Sequence, residues 1–308
     1  MKIKRFIGKK VRGYMDFDIT FNDGLNFLIG VNGTGKTTIL RLLRGLIMPS
    51  PKILTEMTYK EISLKYSSDL NDNIEIKADG EHLTIIESNK KLPVTIPYET
   101  ILLRDDIFVS FLELDRLNNF SATALNEVRA KIYAFIRNNV ARKNKLDEQF
   151  RNSVLSLSKS GGDNLAEKLQ QLNDEYSLKV SNLNAPITRF VDGANMFFSE
   201  GDKVLHIDDA GEISIEIRGS EKNATIFDLS SGEKQLIIML GHLAFDNASV
   251  FVIDEPELSL HLSWQYKFAE ALQTANPDAQ FILATHASGI IAKKSNEKYC
   301  IDLTPRKK

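Results

Sequence analysis

The sequence contains only one cysteine, Cys300, among its 308 residues. A single thiol excludes an internal disulfide framework and a cysteine-based zinc cluster, and it suits a reducing compartment. No apolar run approaches the roughly 20 residues that a membrane-spanning helix needs, and the N-terminal segment lacks the apolar core of a secretory signal. We therefore expect a cytoplasmic protein with no membrane partner.

A strong net charge is also missing, since the formal charge is −2 and the isoelectric point is near 6.3. A nearly neutral chain creates no overall field that would gather nucleic acid, so such binding requires local basic patches. Apolar residues make up 43% and charged residues 26%, which is ordinary for a globular protein. The length suits one large α/β domain with an insertion.

The strongest pattern is a glycine-rich loop between a predicted strand and a predicted helix. Residues 25–29 are typical of a strand, and apolar residues at helical spacing predict a helix from Lys36 to Ile47. The sequence GVNGTGKT lies between them and fits the phosphate-loop pattern G-x-x-x-x-G-K-[ST]. The candidate nucleotide-binding residues are Gly30, Asn32, Gly33, Thr34, Gly35, Lys36, Thr37 and Thr38.

This loop suits a nucleoside triphosphate. Glycines let the backbone turn its N–H groups toward a β-phosphate, and the following helix adds the positive end of its dipole. Lys36 is expected to bridge the β- and γ-phosphates, while the Thr37 hydroxyl binds Mg²⁺. The alternative, a glycine-rich turn with a chance Lys-Thr pair, is disfavoured by the motifs further along the chain. The cofactors predicted are ATP and Mg²⁺.

A second motif ends a continuous apolar run. Residues 250–253 are apolar and precede Asp254 and Glu255, as expected for a buried parallel strand whose carboxyl end faces a ligand. This is the pattern of a Walker B strand. We expect Asp254 to bind Mg²⁺ and Glu255 to orient or deprotonate the attacking water.

Two further motifs complete the set. A helix start carries a Ser followed three residues later by a Glu, which by itself is only a capping box. Exposed donors at a helix N-terminus can also bind a phosphate, and the candidate residues are Ser230, Ser231, Gly232 and Glu233. His286 follows the strand-like stretch from Gln280 to Leu283. A lone histidine is usually structural, but its place one strand after the two acids favours a functional role.

These four motifs, in this order, resemble those of ABC/SMC-like P-loop ATPases. The resemblance implies an α/β fold: an ABC-type ATPase head with a mostly parallel core sheet, an antiparallel β subdomain and a helical-hairpin insertion. It implies that residues 230–233 form a signature that binds the nucleotide of an opposite subunit, so that two copies dimerise head to tail around two ATP molecules. It also implies that His286 senses the γ-phosphate. The catalytic residues expected are Lys36, Glu255 and His286.

The segment after the two acids indicates a branch of this group. Residues 254–261 read DEPELSLH, whereas transporter ATPases have a Thr-Ser-Ala-Leu-Asp run there. The segment resembles the DEPE-x-x-LH motif of OLD-type and RecF-like prokaryotic ATPases, in which residues 259–261 would be the D-loop. His261 either acts there or only packs. Stand-alone ATPases of this branch resemble the ATPase subunits of anti-phage systems such as Septu and PARIS, where a nuclease or toxin effector is encoded separately.

One departure from the pattern concerns the Q-loop glutamine. No glutamine occurs between Thr38 and Gln149, and Glu113 or Asp115 are the candidates to replace it. The missing glutamine disfavours one alternative, the nucleotide-binding subunit of a transporter. The other alternative is an ATP-dependent scaffold with negligible hydrolysis. Since few residues follow His286, we expect any nuclease activity to belong to another polypeptide.

The chain divides into three predicted parts. Residues 1–120 form an N-terminal ATPase lobe with hairpins between residues 52 and 103, and residues 121–185 form two helices separated by Gly161-Gly162. Residues 186–308 form a C-terminal ATPase lobe in which strands resume after Pro186. The helical hairpin either covers the core or protrudes as an arm.

Two basic clusters are candidates for DNA binding. The stretch from Arg129 to Arg151 has seven Lys or Arg residues against two acids, and the first twelve residues hold six more with no acid. Phosphate contacts from such a helix are independent of sequence and sensitive to salt. The alternative is a solvated helix face. Lys10 and Arg12 are alternatively placed at the nucleotide, as basic residues are in SMC-type proteins.

Overall fold

The computed structural model describes residues 1–48, 51–67, 73–88, 92–97, 109–113, 122–160, 164–246, 248–257, 260–292 and 294–304. The strands in these ranges are β1 (Lys2–Val11), β2 (Met15–Thr20), β3 (Leu25–Ile29), β4 (Glu61–Ser67), β5 (Asn73–Ala78), β6 (His82–Glu87), β7 (Val94–Pro97), β8 (Val109–Glu113), β9 (Lys203–Ile207), β10 (Ile213–Ile217), β11 (Val250–Asp254), β12 (Gln280–Ala284) and β13 (Cys300–Asp302). The α-helices are α1 (Lys36–Ile47), α2 (Pro51–Thr55), α3 (Ala122–Ser160), α4 (Leu165–Phe198), α5 (Ser231–Phe245), α6 (Leu262–Ala275) and α7 (Ser288–Ile291).

The chain forms two compact units. The first contains residues Met1–Asn119, Asp246–Gln273 and Pro277–Lys308. The second contains Phe120–Phe245 and Thr274–Asn276. The first unit therefore holds both large sheets with α1, and the second holds the long helices, the β9–β10 hairpin and α5. The predicted division at residues 120 and 185 stays a prediction, and α4 continues past the second of these boundaries.

A five-stranded sheet in the first unit has the order β13-β3-β12-β11-β8, and every neighbouring pair is parallel. Its central strands are apolar and buried, as strands covered on both faces are. Parallel pairing brings the carboxyl ends of the strands to one edge, where Asp254 of β11 lies opposite Ala284 of β12 and Glu113 of β8. The predicted parallel core sheet is confirmed.

A six-stranded sheet in the same unit has the order β2-β1-β4-β5-β6-β7 and is antiparallel throughout. The predicted hairpins between residues 52 and 103 are thus present, and they pair with the N-terminal strands. Nine of the twelve residues of α1 are buried, and its apolar side chains share one hydrophobic cluster with residues from both sheets. The helix that follows the glycine-rich loop is therefore held firmly in the core of this unit.

The second unit is built on a helical hairpin of α3 and α4. Two cross-contacts show that the helices are antiparallel, because Asn139 bonds to Leu183 while Asp147, further along α3, bonds to Tyr176, earlier in α4. The half-buried residues of the α4 seam recur at spacings of three or four: Leu165, Leu169, Leu172, Tyr176, Val180 and Leu183. This is the pattern from which the hairpin was predicted. Among the described helices, none has both the length and the apolar character needed to cross a bilayer.

Helix α4 continues through Pro186 to Phe198, so the strands predicted after this proline begin only at β9. Proline removes one backbone donor and disturbs the preceding turn of a helix, which exposes carbonyl groups there. The Nδ2 group of Asn139 donates to the carbonyl of Leu183 at 3.0 Å, within that turn. Burial of Phe190, Phe197 and Phe198 then favours continuation of the helix.

Helix α5 packs against both helices of the hairpin at two glycines. A Cβ atom on Gly241 of α5 would lie 2.6 Å from Cγ1 of Val128 on α3, which is closer than two non-bonded carbon atoms approach. On the other side, Gly193 of α4 faces Leu240 of α5. The close approach places the helix that begins at the predicted signature directly on the base of the hairpin.

Candidate nucleotide-binding site

The glycine-rich loop adopts backbone conformations that only glycine accepts easily. Gly30 has φ 145° and Gly35 has φ 96°. A Cβ atom at Gly35 would also lie 2.7 Å from Cζ of Phe17 in β2, and one at Gly30 would lie 2.8 Å from Oγ1 of Thr34. The pattern of glycines in the sequence thus reflects both positive φ angles and close packing.

Lys36 is buried at the first turn of α1, with only 6% of its surface exposed. Its Nζ donates to the carbonyl oxygens of Gly30 at 2.7 Å and Val31 at 3.3 Å, so the ammonium lies inside the loop. Burial lowers the pKa of Lys36, and this effect is opposed by the carboxylates of Glu255, Asp254 and Glu257. A cation enclosed by exchangeable carbonyl partners is well placed to bind an anion instead.

Thr37 and Asp254 meet where α1 begins and β11 ends. The Oγ1 of Thr37 donates to Oδ1 of Asp254 at 3.3 Å. Hydroxyl and carboxylate oxygens are ligands that Mg²⁺ accepts, and this ion usually completes its shell with water and substrate phosphates. No group of three or more His, Cys, Asp or Glu residues within the described ranges would hold a metal by itself. The pair therefore fits Mg²⁺ that arrives with a nucleotide.

His286 lies between Lys36 and Glu255. Its Nδ1 is 3.5 Å from Nζ of Lys36, and its Nε2 is 3.9 Å from Oε1 of Glu255. Nδ1 thus faces the ammonium within contact distance, while Nε2 faces the carboxylate at a distance beyond a hydrogen bond. The three side chains form a row beside the glycine-rich loop.

Glu255 itself has an unusual backbone, with φ 48°. A left-handed conformation at a residue other than glycine costs about 1–3 kcal/mol and concentrates at functional positions. The amide of Glu255 donates to the carbonyl of Ala284 at 2.9 Å, which continues the pairing of β11 with β12 by one residue. The strand pairing therefore holds this residue in place immediately after β11.

Glu257 was not identified from the sequence, although it lies within the DEPE segment. Its Oε2 accepts a bond from Oγ1 of Thr285 at 2.8 Å. Its Oε1 accepts the amide N–H groups of His286 at 2.6 Å and Ala287 at 3.1 Å. One carboxylate thus binds three consecutive residues of the loop that carries the histidine.

The predicted signature forms a capping box in the second unit. The carboxylate of Glu233 accepts bonds from the amide and the hydroxyl of Ser230, both at 2.8 Å. Lys203 of β9 donates to the other oxygen of Glu233 at 2.8 Å. No local sequence pattern predicted this contact. Ser230 and Ser231 are exposed, while Gly232 and Glu233 are buried.

The pKa of Glu233 reflects these contacts. Burial raises it, but the Lys203 ammonium and the two Ser230 donors together outweigh burial and leave the pKa below its usual range. The carboxylate is therefore ionised, and it holds the hydroxyl of Ser230 as a hydrogen-bond acceptor.

The structure brings five predicted site residues together in the first unit: Lys36, Thr37, Asp254, Glu255 and His286. Asn32 is exposed in the loop and Thr38 is buried. The roles assigned to all these residues, and to the signature, stay predictions. Glu113 lies opposite Asp254 in the sheet register and Asp115 lies outside the described residues, so the replacement of the Q-loop glutamine stays a prediction.

The predicted D-loop is described only in part, because Ser259 lies outside the described residues. His261 comes directly before α6. Its Nδ1 lies 2.9 Å from Oγ of Ser263, and its carbonyl accepts from the amides of Trp264 and Gln265. These contacts place His261 at the start of the helix, and whether it also acts at a nucleotide stays open.

The basic clusters are less free than the sequence indicated. Arg129 pairs with Glu212 at 3.2 Å, and Lys131 pairs with Glu127 at 3.2 Å. In the N-terminal cluster, acids from elsewhere in the chain form three pairs: Lys4–Asp23, Arg5–Asp18 and Lys9–Glu61. These pairs reduce the charge available to a phosphate backbone, and DNA binding by the stretch from Arg129 to Arg151 stays a prediction.

Lys10 lies near the end of β1, and Arg12 lies in the turn between β1 and β2. Both have positive φ angles, 52° and 50°. Strand β2, which follows this turn, contacts the glycine-rich loop through Met15 and Phe17, the two side chains nearest a Cβ built on Gly35. The end of β2 that lies beside the glycine-rich loop therefore directly follows this turn. A contact of Lys10 or Arg12 with a nucleotide stays a prediction.

Comparison with known proteins gives a family match over most of the chain. Residues 25–292 match the family described as "AAA domain, putative AbiEii toxin, Type IV TA system". The match begins with β3, immediately before the glycine-rich loop, and ends after His286. All four motifs therefore lie inside it.

Two curated relatives carry retron names. The chain is 30% identical over 100 residues to "Retron Vc95 probable ATPase" of Vibrio cholerae serotype O1 biovar El Tor, covering 28% of this chain and 19% of that protein. It is 25% identical over 205 residues to "Retron Ec83 probable ATPase" of Escherichia coli, covering 58% of this chain and 34% of that protein. The chain thus spans about a third or less of the relatives that it matches.

Solved structures with the same fold are SMC heads. A head domain bound to the C-terminal winged-helix domain of ScpA gives a TM-score of 0.60 at 14% identity, covering 95% of this chain and 92% of that one. The SMC head of Thermotoga maritima gives 0.51 at 14% identity, with the same coverage. The Pyrococcus furiosus head with an extended coiled coil, bound to ScpA, gives 0.52 at 14% identity, covering 94% and 91%. These likenesses confirm the predicted ABC-type head fold.

Proposed function

The chain belongs to the family described as "AAA domain, putative AbiEii toxin, Type IV TA system", and from this premise we propose that it binds ATP with Mg²⁺ and hydrolyses it. It is an ABC/SMC-like P-loop ATPase by family and fold. The observation that carries the proposal is the row formed by Lys36, His286 and Glu255 beside the phosphate loop. These groups supply a cation for the phosphates, a hydrogen-bond donor and a base.

The proposed mechanism assigns one task to each group. Lys36 exchanges its bonds to the carbonyls of Gly30 and Val31 for phosphate oxygens. Glu255 orients the attacking water and accepts its proton, and the Nε2–H of His286 turns from this carboxylate to the γ-phosphate. Thr37 and Asp254 would hold Mg²⁺, which when bound neutralises phosphate charge.

We further propose that two copies assemble head to tail, with the signature of one copy at the ATP of the other. The support is the exposure of Ser230 and Ser231 at the N-terminus of a fifteen-residue helix, where amide and hydroxyl donors and the helix dipole favour an anion. ATP would then be shared between the two copies. This arrangement makes hydrolysis depend on protein concentration.

The proposed physiological role is control of a separate effector, a nuclease or toxin, in anti-phage defence or DNA repair. Two kinds of support exist: the toxin and toxin–antitoxin terms in the family description, and the retron ATPases among the relatives. The matches cover only 19% and 34% of those relatives. The role is therefore proposed for this chain from its likeness to part of each relative. Co-purification of Glu255→Gln protein with the products of neighbouring genes, with and without ATP, tests it. Absence of any ATP-dependent partner contradicts it.

The central experiment combines ATP turnover with molecular mass. Wild-type protein should release phosphate from ATP in a Mg²⁺-dependent manner, and Glu255→Gln should abolish release while retaining bound ATP. Light scattering after size exclusion should show that Glu255→Gln with ATP and Mg²⁺ doubles in mass relative to its nucleotide-free state. Glu81→Gln is the matched control, because Glu81 is exposed in a turn of the antiparallel sheet.

Each possible outcome contradicts a different part of the proposal. Bound ATP without turnover by the wild type supports the scaffold alternative and contradicts hydrolysis. A monomer that keeps bound ATP contradicts the shared site, and protein that binds no ATP contradicts the whole proposal.

A further inference from the structure

Glu257 connects two loops at the carboxyl edge of the parallel sheet. It lies three residues beyond the end of β11, and its carboxylate accepts bonds from the three residues that follow β12. The carboxyl edge is where β11 and β12 deliver Asp254 and Ala284 side by side. A single side chain therefore bridges the loop that carries Glu255 and the loop that carries His286.

The contacts differ from an ordinary helix cap. Helix α7 begins at Ser288 with Ala287 at its N-cap position, whereas the amides that bind Glu257 belong to His286 and Ala287 themselves. Capping side chains bind the amides of the second or third residue inside the helix. The Glu257 carboxylate thus binds the backbone at His286 and Ala287 and does not cap α7.

Thr285 completes the arrangement. It is 2% exposed, and its hydroxyl donates to Glu257 while accepting the amide of Ala287 at 3.0 Å. Its own amide donates to the carbonyl of Leu28 in β3. The loop is therefore fixed on one side to the sheet and on the other side to the carboxylate.

We propose that Glu257 is a positioning residue of the hydrolytic reaction, holding the backbone of His286 so that its ring stands between Lys36 and Glu255. This inference rests on the proposed function. The ring nitrogens of His286 lie 3.5 Å from the Lys36 ammonium and 3.9 Å from the Glu255 carboxylate. A small rotation of its backbone would move both atoms away from these neighbours, since the side chain turns with the main chain.

A carboxylate suits this task. Two amide N–H groups and one hydroxyl converge on it, and an ionised carboxylate accepts from all three without offering a donor. A glutamine could keep its carbonyl oxygen on the two amides and donate its NH₂ group to the Thr285 hydroxyl, so it would preserve the arrangement. Glu257→Leu is therefore the sharper test, because it removes both acceptor oxygens with little change in volume.

The kinetic test is a double-mutant cycle of Glu257→Leu and His286→Ala. We expect Glu257→Leu to lower kcat by about tenfold or more with a KM for ATP within about threefold of wild type, because ground-state binding does not require the histidine. In the His286→Ala background, the same change should have little further effect, since its target is gone. Additive losses, or an unchanged kcat, overturn the inference.

A second test is independent of activity. Hydrogen exchange in nucleotide-free protein should show a protected amide at His286 in the wild type and loss of that protection in Glu257→Leu, whereas the Ala287 amide, which also donates to Thr285, should lose less. The amides of β12 serve as an internal reference and should be unchanged. Equal protection in wild type and variant overturns the inference, and loss of protection throughout β12 would show a damaged sheet and overturn it too.

The two proposals fail in different ways. Wild-type turnover no higher than that of Glu255→Gln refutes the proposed hydrolysis and the inference with it. Wild-type turnover that Glu257→Leu leaves unchanged refutes only the role of Glu257. The Glu81→Gln control should match the wild type in both assays.

Discussion

Lys203 donates to one carboxylate oxygen of Glu233 at 2.8 Å, while the other oxygen accepts the amide and hydroxyl of Ser230. Strand β9 is thereby bonded to the first turn of the signature helix. The hydroxyl proton of Ser230 points at Glu233 in this state. If Ser230 donates to a phosphate in the proposed dimer, this proton must change its acceptor, and Lys203 weakens the competing acceptor by sharing its charge.

The first prediction concerns pH. Lys203→Met should lower the free energy of unfolding by about 2 kcal/mol near neutral pH, the value of a hydrogen bond to a charged group. Because the folded-state pKa of Glu233 is lowered, its stabilising contribution is complete above the ordinary glutamate value of about 4.3 and is lost as the pH falls through the lower folded-state pKa. The stabilities of the wild type and the variant should therefore begin to converge once the pH falls below the ordinary glutamate value, and they should meet only below the lowered folded-state pKa.

Thermal unfolding between neutral and acidic pH measures this convergence. Lys222→Met is the matched control, since Lys222 is exposed in the same unit, and its stability should follow the wild type at every pH. A constant difference between wild type and Lys203→Met across the whole pH range would contradict the ionised pair.

The second prediction concerns the contact between α5 and the hairpin. Gly241→Ala would place a Cβ atom 2.6 Å from Cγ1 and 2.8 Å from Cγ2 of Val128. Overpacking of this kind costs about 1–3 kcal/mol. Urea unfolding should show this loss, and Val128→Ala in the same chain should recover part of it by removing the obstructing methyl groups.

Gly201→Ala is the control for that series, because no atom lies within 4 Å of a Cβ built there and its φ is not positive. Its stability should stay within about 0.5 kcal/mol of wild type. Strict additivity of Gly241→Ala and Val128→Ala would show that the two residues do not press on each other.

The third prediction tests the buried amide in the hairpin. Asn139 is 8% exposed, and it donates to the Leu183 carbonyl near Pro186. Asn139→Ala should cost about 1 kcal/mol, since it removes a hydrogen bond between the buried Asn139 side chain and the Leu183 carbonyl. Asn138→Ala, at the adjacent exposed position, should be nearly neutral. Circular dichroism melts of the two variants decide the matter, and equal losses would contradict a specific role for Asn139.

The fourth prediction concerns Mg²⁺. Thr37→Val removes the hydroxyl that lies 3.3 Å from Asp254 while keeping the side-chain shape. Wild-type protein should bind ATP more tightly with Mg²⁺ than with EDTA, and Thr37→Val should lose about tenfold of affinity only when Mg²⁺ is present, about 1.4 kcal/mol. Calorimetric titration measures both conditions. Thr20→Val, exposed on β2, is the control, and an equal loss in EDTA would show that Thr37 acts on the nucleotide without the ion.

The parts of the fold that the sequence predicted are those set by local patterns. The glycine spacing, the helical spacing of α1 and the apolar run of β11 each depend on neighbours within one or two turns, and all three appear as expected. The continuation of α4 through Pro186 was missed because its cause lies on another helix. The pairing of Arg129 with Glu212 was not visible in the sequence for the same reason, since the two residues are 83 positions apart.

The site shows the same division. Lys36, Asp254, Glu255 and His286 belong to motifs whose order along the chain is itself a signal. Glu257 also belongs to one of those motifs, but its proposed role depends on tertiary structure. The parallel pairing of β11 with β12 brings the loop after β11 beside Thr285. Lys203 had no signal at all, because its partner is thirty residues away and only tertiary packing joins them.

The left-handed backbone of Glu255 means that thermodynamic stability and catalysis make opposite demands on one residue. At φ 48°, glycine or asparagine would suit the fold better than glutamate. On the proposed mechanism, no such replacement supplies the base. Selection for higher thermal stability would therefore favour replacements of Glu255 that abolish hydrolysis. Stability and activity are thus opposed at this one residue.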